Sequence, residues 1–252
     1  MIGGPQGPLR EVLIACGMLR RRGLRATLTH VRSIGLARLH RLLFDRKLED
    51  RLPRPVRGEL PKGAIDLRTV TDAEVEAAVP HAPTPTKVLQ WALQGLRVDL
   101  RDFHFVDIGS GRGCAVVRAA MFPFRSVTGV EFAHPYHEDA VANVAWARAS
   151  GLIKAGRVDL RHESALRTQL PDGPCLIFLY SPFEEVVMRP FLDLVDASVR
   201  RNPRPMLAIY VNPIAARAFA RPGIAEIRLA RRERVLLRLF GPHPVKAYSW
   251  TV

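Results

Sequence analysis

The stretch 103–121 constrains the fold most. Phe103-His104-Phe105-Val106-Asp107-Ile108 is apolar enough for a buried central strand and runs straight into Gly109-Ser110-Gly111-Arg112-Gly113. A helical stretch, 114–121, follows without a break. A strand that turns through glycines into a helix opens a β-α-β unit. Its turn lies at the carboxyl end of a strand, where open α/β sheets bind ligands. Glycines let the backbone bend sharply and let a ligand approach with no Cβ in the way.

From this point the pattern alternates. Strands are expected at 103–108, 126–131, 157–161, 175–180 and 206–211, and helices at 112–122, 135–149, 184–199 and 213–219. Toward the end, 225–230, 234–240 and 245–251 read as strands with no helix between them, and Gly241-Pro242-His243-Pro244 reads as a turn. The expected class is α/β: a doubly wound, mostly parallel, seven-stranded sheet with a C-terminal antiparallel hairpin, plus N-terminal helices.

Residues 1–64 read as a basic helical extension and linker, and 65–252 as the α/β domain. Leu9, Val12, Leu13, Cys16 and Leu19 form one helical stripe, and Leu28, Val31, Ile34, Leu39, Leu42 and Leu43 a second. Pro53, Pro55 and Pro61 with two glycines mark the linker. Thr71 and Glu74 have capping-box spacing for a short helix, which Pro80, Pro83 and Pro85 end before a helix at 86–97. Of the net charge of +14, residues 1–60 hold +8, from 13 Lys+Arg against 5 Asp+Glu. That asymmetry fits a basic arm near nucleic acid, a membrane surface or an acidic protein; it equally fits an arginine-rich solvated face. The extension is expected to be separable from any ligand site.

No apolar run is long enough for a transmembrane helix. The Arg-rich start loosely fits an organellar transit peptide, but it is poor in Ser and contains Glu11, so it is read as part of the mature protein. Cys16, Cys114 and Cys175 are far apart, which indicates neither zinc nor a disulfide framework and suits a cytoplasmic protein. His134 and His137 lack a third ligand at sensible spacing, so no metal is expected.

The turn is G-x-G-x-G, whereas the dinucleotide fingerprint is G-x-G-x-x-G; Cys114 stands where the third glycine would be. Asp107, two residues before Gly109, would sit badly beside a pyrophosphate and well beside an ammonium and a sulfonium. Glu131 ends the second expected strand, where a carboxylate can accept both hydroxyls of a ribose. Glu163, after the third, could accept from the exocyclic amine of an adenine.

With "VDIGSGRG", "GVEF", "HESA" and "LYSPF" in this order, residues 84–252 resemble the class I S-adenosylmethionine-dependent methyltransferases. More narrowly, "PTPTKVLQWAL", "FPFRSVTGVEF", "YSPF" and "AIYVNP" look like a bacterial group distantly similar to the lysine methyltransferases built on this fold rather than the SET fold. The resemblance implies S-adenosylmethionine as cofactor. It places Asp107, Gly109, Gly111 and Gly113 at the methionine end, Glu131 at the ribose and Glu163 at the adenine, with Ser110, Phe132 and Ser164 also on the cofactor and Thr84 and Thr86 crossing near the carboxylate. Glu163 departs from the usual Asp.

Methyltransferases of this kind that act on amines carry Asn/Asp-Pro-Pro-Phe/Tyr after the fourth strand. Here Ser181-Pro182-Phe183 stands there, with Ser181 in place of the Asn or Asp. A hydroxyl accepts a hydrogen bond but lacks a carboxamide's geometry, and Ser-Pro-Phe also reads as a simple helix cap. Asn212 either faces substrate or caps the next helix. The implied activity is N-methylation of an amine, a protein lysine or a small molecule. The alternative is a non-catalytic cofactor-binding protein whose basic helices bind nucleic acid or an acidic partner.

Overall fold

The computed structural model describes residues 24, 27–29, 31–56, 58, 76 and 84–251. The Leu9–Leu19 stripe, the Thr71/Glu74 capping box, Pro80, Pro83 and the expected boundary at 64/65 lie outside the described residues.

Residues 31–49 run helical as α1, with a π-helical turn at Arg41–Asp45. Then come α2 (Thr86–Leu96), β1 (His104–Ile108), α3 (Cys114–Ala120), β2 (Ser126–Glu131), α4 (His134–Ala149), β3 (Val158–His162) and β4 (Cys175–Tyr180). They are followed by α5 (Glu185–Arg201), β5 (Met206–Val211), β6 (Ile224–Ile227), α6 (Arg231–Phe240) and β7 (Val245–Trp250). The seven strands form one sheet in the order β3-β2-β1-β4-β5-β7-β6. The first five are parallel, β7 runs antiparallel to β5, and β6 antiparallel to β7. This is the doubly wound sheet with an antiparallel C-terminal end that the alternation predicts.

Strands covered on both faces read as continuous apolar runs, and Cys-Leu-Ile-Phe-Leu-Tyr of β4 sits at the centre. One face is packed by α5 through Val187, Met188, Phe191, Leu192 and Val195. The other is packed by α2 and α3 through Val88, Leu89, Val116 and Val117, with Phe105 lying 5.1 Å from Phe124 and 5.7 Å from Phe178, centroid to centroid.

Two expectations are corrected. Residues 234–240 form the helix α6, not a strand, so Gly241–Pro244 leads from a helix into β7. A short apolar run such as Val235-Leu236-Leu237 fits either state, and packing decides. Leu237 is buried against the α2 layer, Ala230 N donates to Gly95 O (2.9 Å), and a Cβ on Gly95 would lie 3.0 Å from that of Leu229. Residues 213–219 hold only a 3-10 turn, Ala216–Phe219, whose N-cap is Ala215; Asn212 does not cap it.

The extension is tied to the sheet domain. Arg118 of α3, almost wholly buried, donates to Thr84 O and pairs with buried Glu49 at 3.6 Å. Leu52 and Val56 pack on Cys114 and Trp146.

Candidate cofactor and acceptor site

The glycine turn needs its glycines one by one. Gly109, Gly111 and Gly113 have φ of +74°, +53° and +76°, the left-handed region that other residues enter at a cost. A Cβ on Gly109 would lie 2.9 Å from Pro182 Cβ, and one on Gly113 3.0 Å from Ala140 Cβ. The G-x-G-x-G spacing is thus the alternation of left-handed positions along the turn. Gly109 N and Ser110 N both donate to Val130 O at 3.0 Å, which holds the turn across the end of β2. Among the described residues, the buried Ser110 Oγ has no hydrogen-bond partner.

Asp107 and Glu131 flank this turn, and both are buried. The two oxygens of Glu131 accept from Gly111 N (2.7 Å) and Ala133 N (2.8 Å). Burial raises its pKa to about 6, although those amides pull it down. Burial, aided by the neighbouring charge of Glu131, raises Asp107 to about 8. Among the described residues neither acid has a Lys or Arg partner. Two buried carboxylates without a cation favour a ligand that carries positive charge.

A pocket opens beside the turn, between Gly109, Val130, Phe132, Glu163, Pro182 and Phe183. Five residues expected from the sequence thus meet there: Gly109, Phe132, Glu163, Pro182 and Phe183. Glu163 N donates to Glu131 O (3.2 Å), and Glu163 Oε1 accepts from Thr168 Oγ1 (2.7 Å). His162 donates a ring N–H to Phe132 O (2.9 Å), and buried Ser164 Oγ accepts from Leu166 N (3.1 Å). Phe183 also belongs to the core, with its ring 5.9 Å from Phe191. The contact that Thr84 makes is with α3, through Arg118, and Thr86 is the first residue of α2.

The candidate acceptor side lies at the ends of β4 and β5, whose last paired residues are Tyr180 and Val211. Ser181 and Asn212 follow, with φ of +42° and +50°. Ser181 N donates to Val211 O (3.2 Å), and Ser181 Oγ donates to Asn212 O. The helix-cap reading of Ser181 is set aside, because α5 begins at Glu185 with Glu184 as its N-cap.

Several partners were not legible in the chain. Arg112, inside the turn, donates to Pro55 O (2.9 Å) and Gly58 O (3.4 Å), pairs with Asp139 at 3.1 Å and lies over the Tyr136 ring. Asn143, fully buried, donates to Arg112 O (2.9 Å) and accepts from Arg54 N (3.0 Å). Residues 54, 55 and 58 are therefore fastened to the glycine turn or to the helix beside it. His162 brings a third imidazole against His134 and His137, at 5.0 and 5.4 Å between ring centroids. Among the described residues no group of three or more His, Cys, Asp or Glu is placed to hold a metal ion.

Sheet order and glycine turn define an α/β, methyltransferase-like fold. No family model matches the chain, and no curated protein does. Solved structures similar to it include an RNA methyltransferase from Salinibacter ruber in complex with S-adenosyl-L-homocysteine (18% identity, 68% of this chain and 94% of that one, TM-score 0.42). Others are a ribosomal protein L11 methylase from Lactobacillus delbrueckii subsp. bulgaricus (13%, 68% and 80%, 0.43) and a methyltransferase from Geobacter sulfurreducens (16%, 67% and 78%, 0.41).

Proposed function

We propose that this chain is an S-adenosylmethionine-dependent methyltransferase that methylates an amine, a protein lysine or a small-molecule amine. The observation that carries the reading is the pair of buried, cation-free acids, Asp107 and Glu131, set around a turn of left-handed glycines. The residues present fit that cofactor: a buried unpartnered hydroxyl at Ser110, a turn with no room for Cβ atoms, and carboxylates suited to an ammonium and a ribose. Asp107 and the turn would hold the methionine end, Glu131 and Phe132 the ribose, and Glu163 and Ser164 the adenine. Thr84 and Thr86 are assigned to the methionine carboxylate by resemblance.

When bound, the cofactor supplies a methyl group already activated by its sulfonium. The protein's task is then alignment and exclusion of water. Pro182 and Phe183 wall the pocket beside Gly109. Ser181 donates its proton to Asn212 O, which leaves its oxygen lone pairs to accept from an amine N–H. The buried thiol of Cys175 suits a cytoplasmic protein.

Calorimetry should show binding of S-adenosylmethionine and none of NAD; tight NAD binding with no S-adenosylmethionine binding would sink the reading. Ser181, in place of a carboxamide, favours one other reading, a cofactor-binding protein without catalysis. Incubating cell lysate with tritiated cofactor separates the two: label in protein or small amines supports transfer, and no label anywhere supports the non-catalytic reading.

A further inference from the structure

The two helices farthest apart in the chain share one surface of unusual composition. On α6, Arg-Arg-Glu-Arg-Val-Leu-Leu-Arg-Leu-Phe, only Leu237 is buried, while Val235, Leu239 and Phe240 stand exposed among Arg231, Arg232, Arg234 and Arg238. At the N-terminal side, Leu24, Leu28 and Val31, spaced as one helical face, are more than half exposed, and Leu42 and Leu43 of α1 are too. The helices meet. Arg32 donates to Arg238 O (2.6 Å), and a chain of rings runs Phe44–His40–Trp91–Phe240 with centroid spacings of 5.4, 5.8 and 6.3 Å.

This surface flanks the acceptor side of the site. From Phe240 the chain passes to Pro244, whose carbonyl accepts from Asn212 N (2.9 Å). On the way, the His243 ring lies 5.8 Å from that of Tyr180 and its Nδ1 3.3 Å from Ser33 Oγ.

We propose that α1 and α6 together dock the protein on an anionic lipid bilayer. Charge and apolarity on one face decide the partner. Arginines reach lipid phosphates while Leu24, Leu28, Val31, Leu42, Leu43 and Leu239 enter the acyl boundary. Nucleic acid would match the charge but leave the aliphatic side chains in a polar, wet interface. A second copy would bury them but bring two arginine-rich faces together. Among the described residues no helix is long and apolar enough to cross a membrane, so the contact is peripheral. The proposal goes beyond the cofactor reading and does not depend on it.

The test is co-sedimentation of the full chain with phosphatidylcholine vesicles, alone or with about a third phosphatidylglycerol. Binding should be about tenfold stronger to the anionic vesicles. It should fall about tenfold in the double variant Leu42→Glu, Leu239→Glu. Both positions are exposed, so the variant should keep the wild-type melting temperature and the wild-type response to S-adenosylmethionine in calorimetry, whichever way that cofactor test falls. Three outcomes overturn the proposal: equal binding to both vesicles or to neither; release by transfer RNA with no effect of the leucine changes; or a light-scattering mass of two chains that those changes halve.

Discussion

At the end of β1 the backbone bends through glycines, and the bend is held across the end of β2 by the buried Glu131 carboxylate and by main-chain amides on Val130 O. At the ends of β4 and β5 it bends through Ser181 and Asn212, with φ of +42° and +50°, and a hydroxyl–carbonyl contact holds it. The first bend is one that glycine adopts without penalty. The second places ordinary residues where each costs of order 1 kcal/mol, and such strain clusters at sites that act. The proposed cofactor half is therefore defined by residue type, while the proposed acceptor half is defined by a geometry that several residues could meet.

Glu131→Ala should have the largest effect. It removes the acceptor of two backbone N–H groups as well as the proposed ribose partner. Charged hydrogen bonds of this kind contribute about 1.5–3 kcal/mol each, so cofactor affinity should fall on the order of 100-fold or more by calorimetry. An unchanged affinity would break the assignment of that half.

The pH profile comes next. With Asp107 raised to about 8, binding a cation to its ionised form releases a proton below that pH. Affinity should rise between pH 6 and 8 by up to about tenfold per unit and then level off, and Asp107→Asn should flatten the curve. Stability of the ligand-free protein runs the other way. The folded pKa exceeds the unfolded one, so this group favours folding at low pH, and that contribution is lost as pH rises from about 4 through 8. A melting temperature that climbs over this range, in wild type but not in Asp107→Asn, would contradict the shift.

Arg112→Ala should cost about 1–3 kcal/mol in urea denaturation, because Pro55 O loses its donor, Gly58 O keeps only Tyr136 OH, and Asp139 keeps only the more distant Arg54. Cofactor affinity should fall severalfold with it. Deleting residues 1–60 should do at least as much, since it also removes Glu49, the carboxylate that pairs with buried Arg118. A deletion with native stability and affinity would restore the separable extension.

Ser181→Asn should change cofactor binding least, by less than about twofold, since Asn tolerates a left-handed backbone. Its effect belongs in turnover on an amine acceptor. A changed turnover at constant cofactor affinity would sharpen the contrast between the halves; a loss of cofactor binding would erase it.

Much of the glycine turn was legible because its information is local. Gly109, Gly111 and Gly113 state their own backbone need, Asp107 and Glu131 follow from strand ends, and strands and helices follow from apolar period. The same local evidence misread 234–240, where five apolar residues in a short run fit either state until Gly95 allowed α6 to close on α2. Ser181 was equally ambiguous, since Ser-Pro also begins many helices, and the start of α5 at Glu185, with Glu184 as its N-cap, ended the ambiguity.

The chain by itself determined the α/β alternation, the place of the turn and the acids beside it, because backbone sterics and side-chain period act over a few residues. Tertiary structure decided what lies across the sheet or along the chain at a distance: Arg112 on residues 55 and 58, Arg118 on Glu49, Ser181 on Asn212, and α1 beside α6. Those pairs are separated by about 30 to 200 residues, and no local rule encodes such contacts. They exist only once the sheet order has brought strand ends and helix faces together.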